Sequence, residues 1–106
     1  MSEQGEVWIA SRDFWFKIVE FLQQNWALID KSTDSVTVWF LSDGGGVFDR
    51  LTFPTQAEAE RALRRNGFAR LADDSRARTF IAPPTEPFHH YPHPNGPIYS
   101  SGRFWK

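Results

Sequence analysis

The chain has 106 residues, 41% of them apolar, with 13 acidic against 12 lysine and arginine side chains and no cysteine. That length supports one domain with a core of modest size. The formal charge of −1 argues against a protein whose main work is neutralising phosphates or anionic lipid, and the lack of cysteine removes disulfides, thiol nucleophiles and thiolate metal sites.

The amino terminus, Met1 to Glu6, is acidic where a secretory signal would be basic, and no run approaches the roughly 20 apolar residues of a spanning helix. A soluble cytoplasmic protein with no membrane contact is the expectation. Val7-Trp8-Ile9 reads as a short edge strand or strap. Ser11 has the character of a helix cap, with Asp13 placed in the first turn where the helix dipole favours it. From about Arg12 to Gln24, Phe14, Trp15, Ile18, Val19, Phe21 and Leu22 fall on one arc at about 100° per residue, which predicts an amphipathic helix. Phe16 lies outside that arc, next to Glu20 and Gln23. The arc is broad enough that one sheet face would not bury all of it.

Trp26 to Asp30 follows as a strand, and Lys31 to Ser35 as a polar turn. Val36 to Leu41 is almost all β-branched or aromatic and is apolar on both faces, which predicts a central strand. Asp43-Gly44-Gly45-Gly46 supplies a hairpin turn, because glycine takes positive φ without steric cost. The returning strand, Val47 to Phe53, places Val47, Leu51 and Phe53 on one face with Asp49, and Phe48, Arg50 and Thr52 on the other.

Helix boundaries are the most specific local signal. Thr55-Gln56-Ala57-Glu58 has capping-box spacing, and Asn66-Gly67-Phe68 reads as a Schellman stop in which Phe68 can meet Leu63. Between them Ala59, Ala62 and Leu63 form a narrow stripe suited to close packing on a sheet. Phe68 to Ala72 then reads as a strand, Asp73-Asp74-Ser75 as a turn, and Ala77 to Ala82 as a last short strand.

These elements predict an α+β fold: a two-layer sandwich with a mainly antiparallel sheet of four to five strands and two helices on one face, in the order α-β-β-β-α-β-β. Residues 1–82 form the single domain. Six of the seven prolines lie between Pro83 and Pro97, which argues against regular helix or central strand there. Residues 83–106 are too aromatic for an ordinary linker and are expected to pack, as an extended tail, on the domain or on a partner subunit.

No motif specifies a reaction. Gly44-Gly45-Gly46 lacks the GK[ST] of a phosphate loop and precedes a strand, Pro84-Thr85-Glu86-Pro87 is a commonplace PxxP spacing, and no nucleophile elbow supports a triad built from Ser100, Ser101 and His89. An enzyme is therefore the least favoured class, and no cofactor is expected. His89, His90 and His93 are the only weak metal candidates, because Pro92 and Pro94 keep that segment extended and direct its side chains apart.

Aromatic residues make up 16% of the chain, more than a small core readily hides. The first functional reading is an interaction protein, a homodimer by expectation, whose interface uses Phe16, Phe88, Tyr91, Tyr99, Phe104 and Trp105. A second is a small-molecule binder with an apolar pocket between the sheet and the first helix, rimmed by Trp15, Trp39 and Trp105. A third, nucleic-acid binding through Arg61, Arg64 and Arg65, is weakened by the interleaved Glu58, Glu60, Asp73 and Asp74.

Overall fold

The computed structural model describes residues 6–20 and 23–90. Its elements are β1 (Glu6–Val7), β2 (Trp15–Glu20), β3 (Gln23–Lys31), β4 (Val36–Leu41), β5 (Gly46–Phe53), α1 (Gln56–Arg65), β6 (Ala69–Arg70), a 3₁₀ turn (Leu71–Asp73), α2 (Ser75–Phe80) and β7 (Phe88–His90). The seven strands make one mixed sheet in the order β1-β7-β5-β4-β3-β2-β6, with β5 and β7 the parallel pair among antiparallel ones. This corrects the expected four- or five-stranded, two-helix sandwich in three places.

The first correction concerns Arg12 to Gln24, whose described residues form no helix. Residues 15–20 pair antiparallel with β3, Trp15 opposite Ala27 and Phe16 opposite Trp26. Phenylalanine, tryptophan, isoleucine and valine are poor helix formers and favour a pleated surface. The broad apolar arc arose because the chain at the start of this strand is covered on both faces: Phe14 and Phe16 pack into one cluster and Trp15 into the other. A segment with apolar side chains at both helical and extended spacing satisfies either period, and length and residue type must then decide.

The second correction lies after α1. The expected strand from Phe68 is only Ala69–Arg70, followed by the 3₁₀ turn, and the expected strand from Ala77 is the helix α2. Asp74 was read as a turn residue but is the cap, its carboxylate accepting from the Ala77 amide at 2.9 Å. An aspartate three residues ahead of Ala77 satisfies an otherwise orphaned helical amide, and Ser-Arg-Ala-Arg tolerates a helix well. The two helices also lie on opposite faces. Ala59 and Leu63 of α1 pack against Trp15, Val38 and Phe40, whereas Ala77 of α2 packs against the cluster holding Phe14 and Trp26.

The third concerns the proline-rich stretch. Phe88–His90 is an inner strand, antiparallel to β1 and parallel to β5. The proline rule holds residue by residue: these three carry none, so their amides are available to both neighbours.

The central hairpin and α1 form as expected. The β4–β5 turn closes through Gly45 N–H to Ser42 C=O and Ser42 N–H to Gly46 C=O, with Gly45 left-handed at φ 86°. A Cβ on Gly45 would lie 3.4 Å from the Thr85 carbonyl oxygen, an ordinary contact, so it is the left-handed φ that calls for glycine here. One detail of β5 departs from simple alternation. A bulge shifts the register between Phe40 and Leu41, so Val47 joins the α2-side cluster while Phe48 joins Leu51 and Phe53 beside α1. One extra residue inverts the phase of everything after it. In α1, Thr55 Oγ1 accepts from the Glu58 amide, Gly67 (φ 91°) bonds Arg64 C=O, and Phe68 N–H bonds Leu63 C=O, completing the Schellman stop.

Candidate interaction surface

The α2 side of the sheet is covered by irregular chain, and polar side chains hold that cover in place. Residues 8–14 cross it as a strap, burying Ile9 and Phe14. The Asp30 carboxylate, at the far end of β3, accepts from Ala10 N–H at 3.0 Å and Ser11 N–H at 2.8 Å. Arg12 donates to the carbonyls of Ile9 and Ser11, pairs with Glu86 at 3.0 Å, and lies 4.9 Å from the Phe88 ring. One guanidinium thus ties the strap to the segment leading into β7. Asp13 grips Arg70 bidentately, at 2.9 and 3.0 Å to Nε and 2.7 Å to the terminal nitrogen. Those hydrogen bonds, and the charge of Asp13, raise the Arg70 pKa above its ordinary value.

Beneath this cover Trp26 is wholly buried. Phe14 meets its ring edge-on at 5.7 Å, and its Nε1 donates to Asp43 in the hairpin turn at 2.7 Å. Asp43 also accepts from the Gln24 amide. A turn aspartate, which a sequence reading assigns to the turn alone, therefore also satisfies the polar tip of the largest core side chain.

The expected site residues scatter. Phe16 and Phe88 are core residues, which removes them from any surface. Tyr91, His93, Tyr99, Phe104 and Trp105 lie outside the described residues. Trp15 is buried on the α1 side, under the Arg64 guanidinium at 4.9 Å, while Trp39 lies on the opposite face under Arg50 at 5.7 Å. With the sheet between them, and strand rather than helix at residues 15–20, they do not rim one pocket. The Trp39 Nε1 is buried without a hydrogen-bond partner.

Arg61, Arg64 and Arg65 are exposed on α1, with Arg64 near Glu60 at 3.8 Å as well as over Trp15. Beside them an open cleft of about 330 Å³ is lined by Arg64, Phe68, Ala69, Arg70, Asp73 and Asp74. Its mixed charge favours no single ligand sign, and Arg70 already holds Asp13. His89 and His90 are consecutive strand residues and so point to opposite faces. Among the described residues no three metal-capable side chains gather, and no helix is long and apolar enough to cross a membrane.

What is exposed and apolar is a different set: Trp8 at 77%, Phe80 at 77% and Ile18 at 62%. Ile18 has a particular setting. β6 pairs with β2 only at Trp15 and Phe16, so from Lys17 onward β2 pairs with β3 alone among the described residues. Among the described residues the sheet thus ends there in an unpartnered strand edge with a large apolar side chain on it. Sequence reading missed it because Ile18 was assigned to a buried helical arc. Compared with known families, characterised proteins and solved structures, the chain matches none.

Proposed function

We propose that this protein is a small interaction module that associates with a second copy of itself through the outer edge of β2. The observation that carries the reading is Ile18, 62% exposed on a strand segment with no outer neighbour among the described residues. An open edge offers unpaired amides and carbonyls as a template for another strand, and an apolar side chain there gains by being covered. Trp8 and Phe80 add exposed apolar area of the kind that marks interfaces. A homodimer uses the same patch twice, which a single edge allows.

The test is the solution mass of the full-length chain by sedimentation velocity over a wide concentration range, beside Ile18→Lys. A dimer that Ile18→Lys returns to monomer, at unchanged thermal unfolding, is the expected result, since an exposed residue contributes little to the core. A native chain that stays monomeric at the highest concentration rejects the reading.

A further inference from the structure

The cleft beside α1 is built from three elements. Arg64 comes from the last turn of α1, Phe68, Ala69 and Arg70 from the chain that forms β6, and Asp73 and Asp74 from the turn ahead of α2. The two helices lie on opposite faces and β6 is the last strand, so the cleft sits at that end of the sheet. Its walls are fixed by hydrogen bonds of their own. The Phe68 amide closes onto Leu63 C=O, the Asp74 amide onto Leu71 C=O at 3.0 Å, and the Arg78 guanidinium onto Ala72 C=O at 2.9 Å. Walls ordered in advance lower the cost of taking up a ligand.

Four charged side chains line the cleft, and two of them are already committed. Arg70 gives Nε and a terminal nitrogen to Asp13, and the Asp74 carboxylate caps α2 at the Ala77 amide. The other two are not. Among the described residues the Arg64 guanidinium donates no hydrogen bond, and it approaches Glu60 only at 3.8 Å, while Glu60 itself accepts from Gln56 at 3.0 Å. Arg64 is nonetheless held in place, 4.9 Å from the centre of the buried Trp15 ring. The Asp73 carboxylate has no hydrogen bond or ion pair among the described residues. The lining thus offers one uncommitted cation, one uncommitted anion, and the apolar Phe68 and Ala69.

We propose that this cleft binds a small zwitterion of the α-amino-acid class with an apolar side chain: its carboxylate on Arg64, its ammonium on Asp73, and its side chain against Phe68 and Ala69. An ion of either single sign would meet a like charge on the lining, whereas a ligand carrying both signs pairs with each. The volume, about 330 Å³, lies at the lower end of the range for small-molecule sites, roughly 300–1,000 Å³.

The register of β6 supplies a reporter. Leu71 N–H bonds Phe14 C=O, so the amides of Ala69 and Leu71 face β2, and the Arg70 amide between them faces away from it. The experiment titrates the full-length chain with L-leucine over the millimolar range, following amide resonances, beside leucinamide, which lacks the carboxylate, and N-acetyl-leucine, which lacks the ammonium. Saturable shifts at Arg70 and its neighbours in 64–74 are expected with leucine, and binding about tenfold weaker or worse with either analogue, on the scale of one lost charged hydrogen bond. Arg64→Gln and Asp73→Asn should each weaken leucine binding about tenfold at unchanged thermal unfolding, since both side chains are exposed. No saturable response to leucine, or shifts that fall away from residues 64–74, overturns the proposal. So does an analogue that binds as well as leucine, or leucine binding that either substitution leaves unchanged. Neither substitution touches Ile18, so the β2 reading stays separately testable.

Discussion

On one face of the sheet a single ten-residue helix presents Ala59 and Leu63 to β3, β4 and β5. On the other face the cover is assembled from the strap, the 3₁₀ turn, α2 and the segment approaching β7, and no one of these has a regular apolar stripe. The helical face is held by small side chains packed closely, its ends fixed by local caps. The irregular face is held by residues far apart in the chain: Arg12 to Glu86, Asp13 to Arg70, Asp30 to the amides of Ala10 and Ser11. A regular element carries its own hydrogen bonds, whereas irregular backbone must borrow acceptors and donors from side chains. The helical face should therefore unfold with the whole domain, while the strap face can open locally at lower cost.

Removing the shared core separates these behaviours least. Trp26→Ala empties a fully buried site and strands the Asp43 contact, and about 3–5 kcal/mol of stability should be lost in urea titration, whichever face is monitored. Leu63→Ala, buried under α1, should cost about 2–5 kcal/mol in the same measurement. A loss below 1 kcal/mol from either would mean that the sheet core does not depend on that cover.

Gly45→Ala strikes where the hairpin meets the irregular face. The left-handed φ, which a Cβ strains, predicts a loss of about 1–3 kcal/mol by thermal unfolding. Arg12→Ala sharpens the comparison most. It should lower global stability by only about 1 kcal/mol, since its partners are partly solvated, yet amides in residues 8–14 and 84–90 should exchange faster while those of α1 stay unchanged. Uniform acceleration over both faces would show that the cover does not open on its own. The smallest change is Thr55→Ala, which removes the α1 cap at about 1 kcal/mol and should leave strap amides undisturbed.

How legible this was in the residues differs between the same two regions. The capping box at Thr55, the Schellman stop at Gly67 and the stripe Ala59, Ala62, Leu63 are local patterns, and α1 formed where they place it. The β4–β5 hairpin was equally readable, except for the bulge that puts Val47 on the face opposite Leu51 and Phe53. The failures cluster where contacts are long-range. Residues 15–20 carried apolar side chains at both helical and extended spacing, and only pairing with β3 decides between them. Asp74 as a cap, and Phe88 as a buried inner-strand residue, depend on what surrounds them. The site residues follow the same rule: the burial of Phe16 and Phe88 and the exposure of Ile18 are set by segments distant in the chain, which their sequence neighbours do not reveal.

What the amino-acid order determined by itself is therefore the set of locally self-satisfying elements: a glycine turn between two strongly β-forming runs, and one capped helix with a narrow apolar stripe. Tertiary structure alone decided the seven-strand order, the opposite placement of the two helices, and which aromatic rings meet water. The physical reason is that a cap or a turn is closed by neighbours within a few residues, whereas a strand's partners and a ring's exposure are set by chain segments that sequence distance does not bring together.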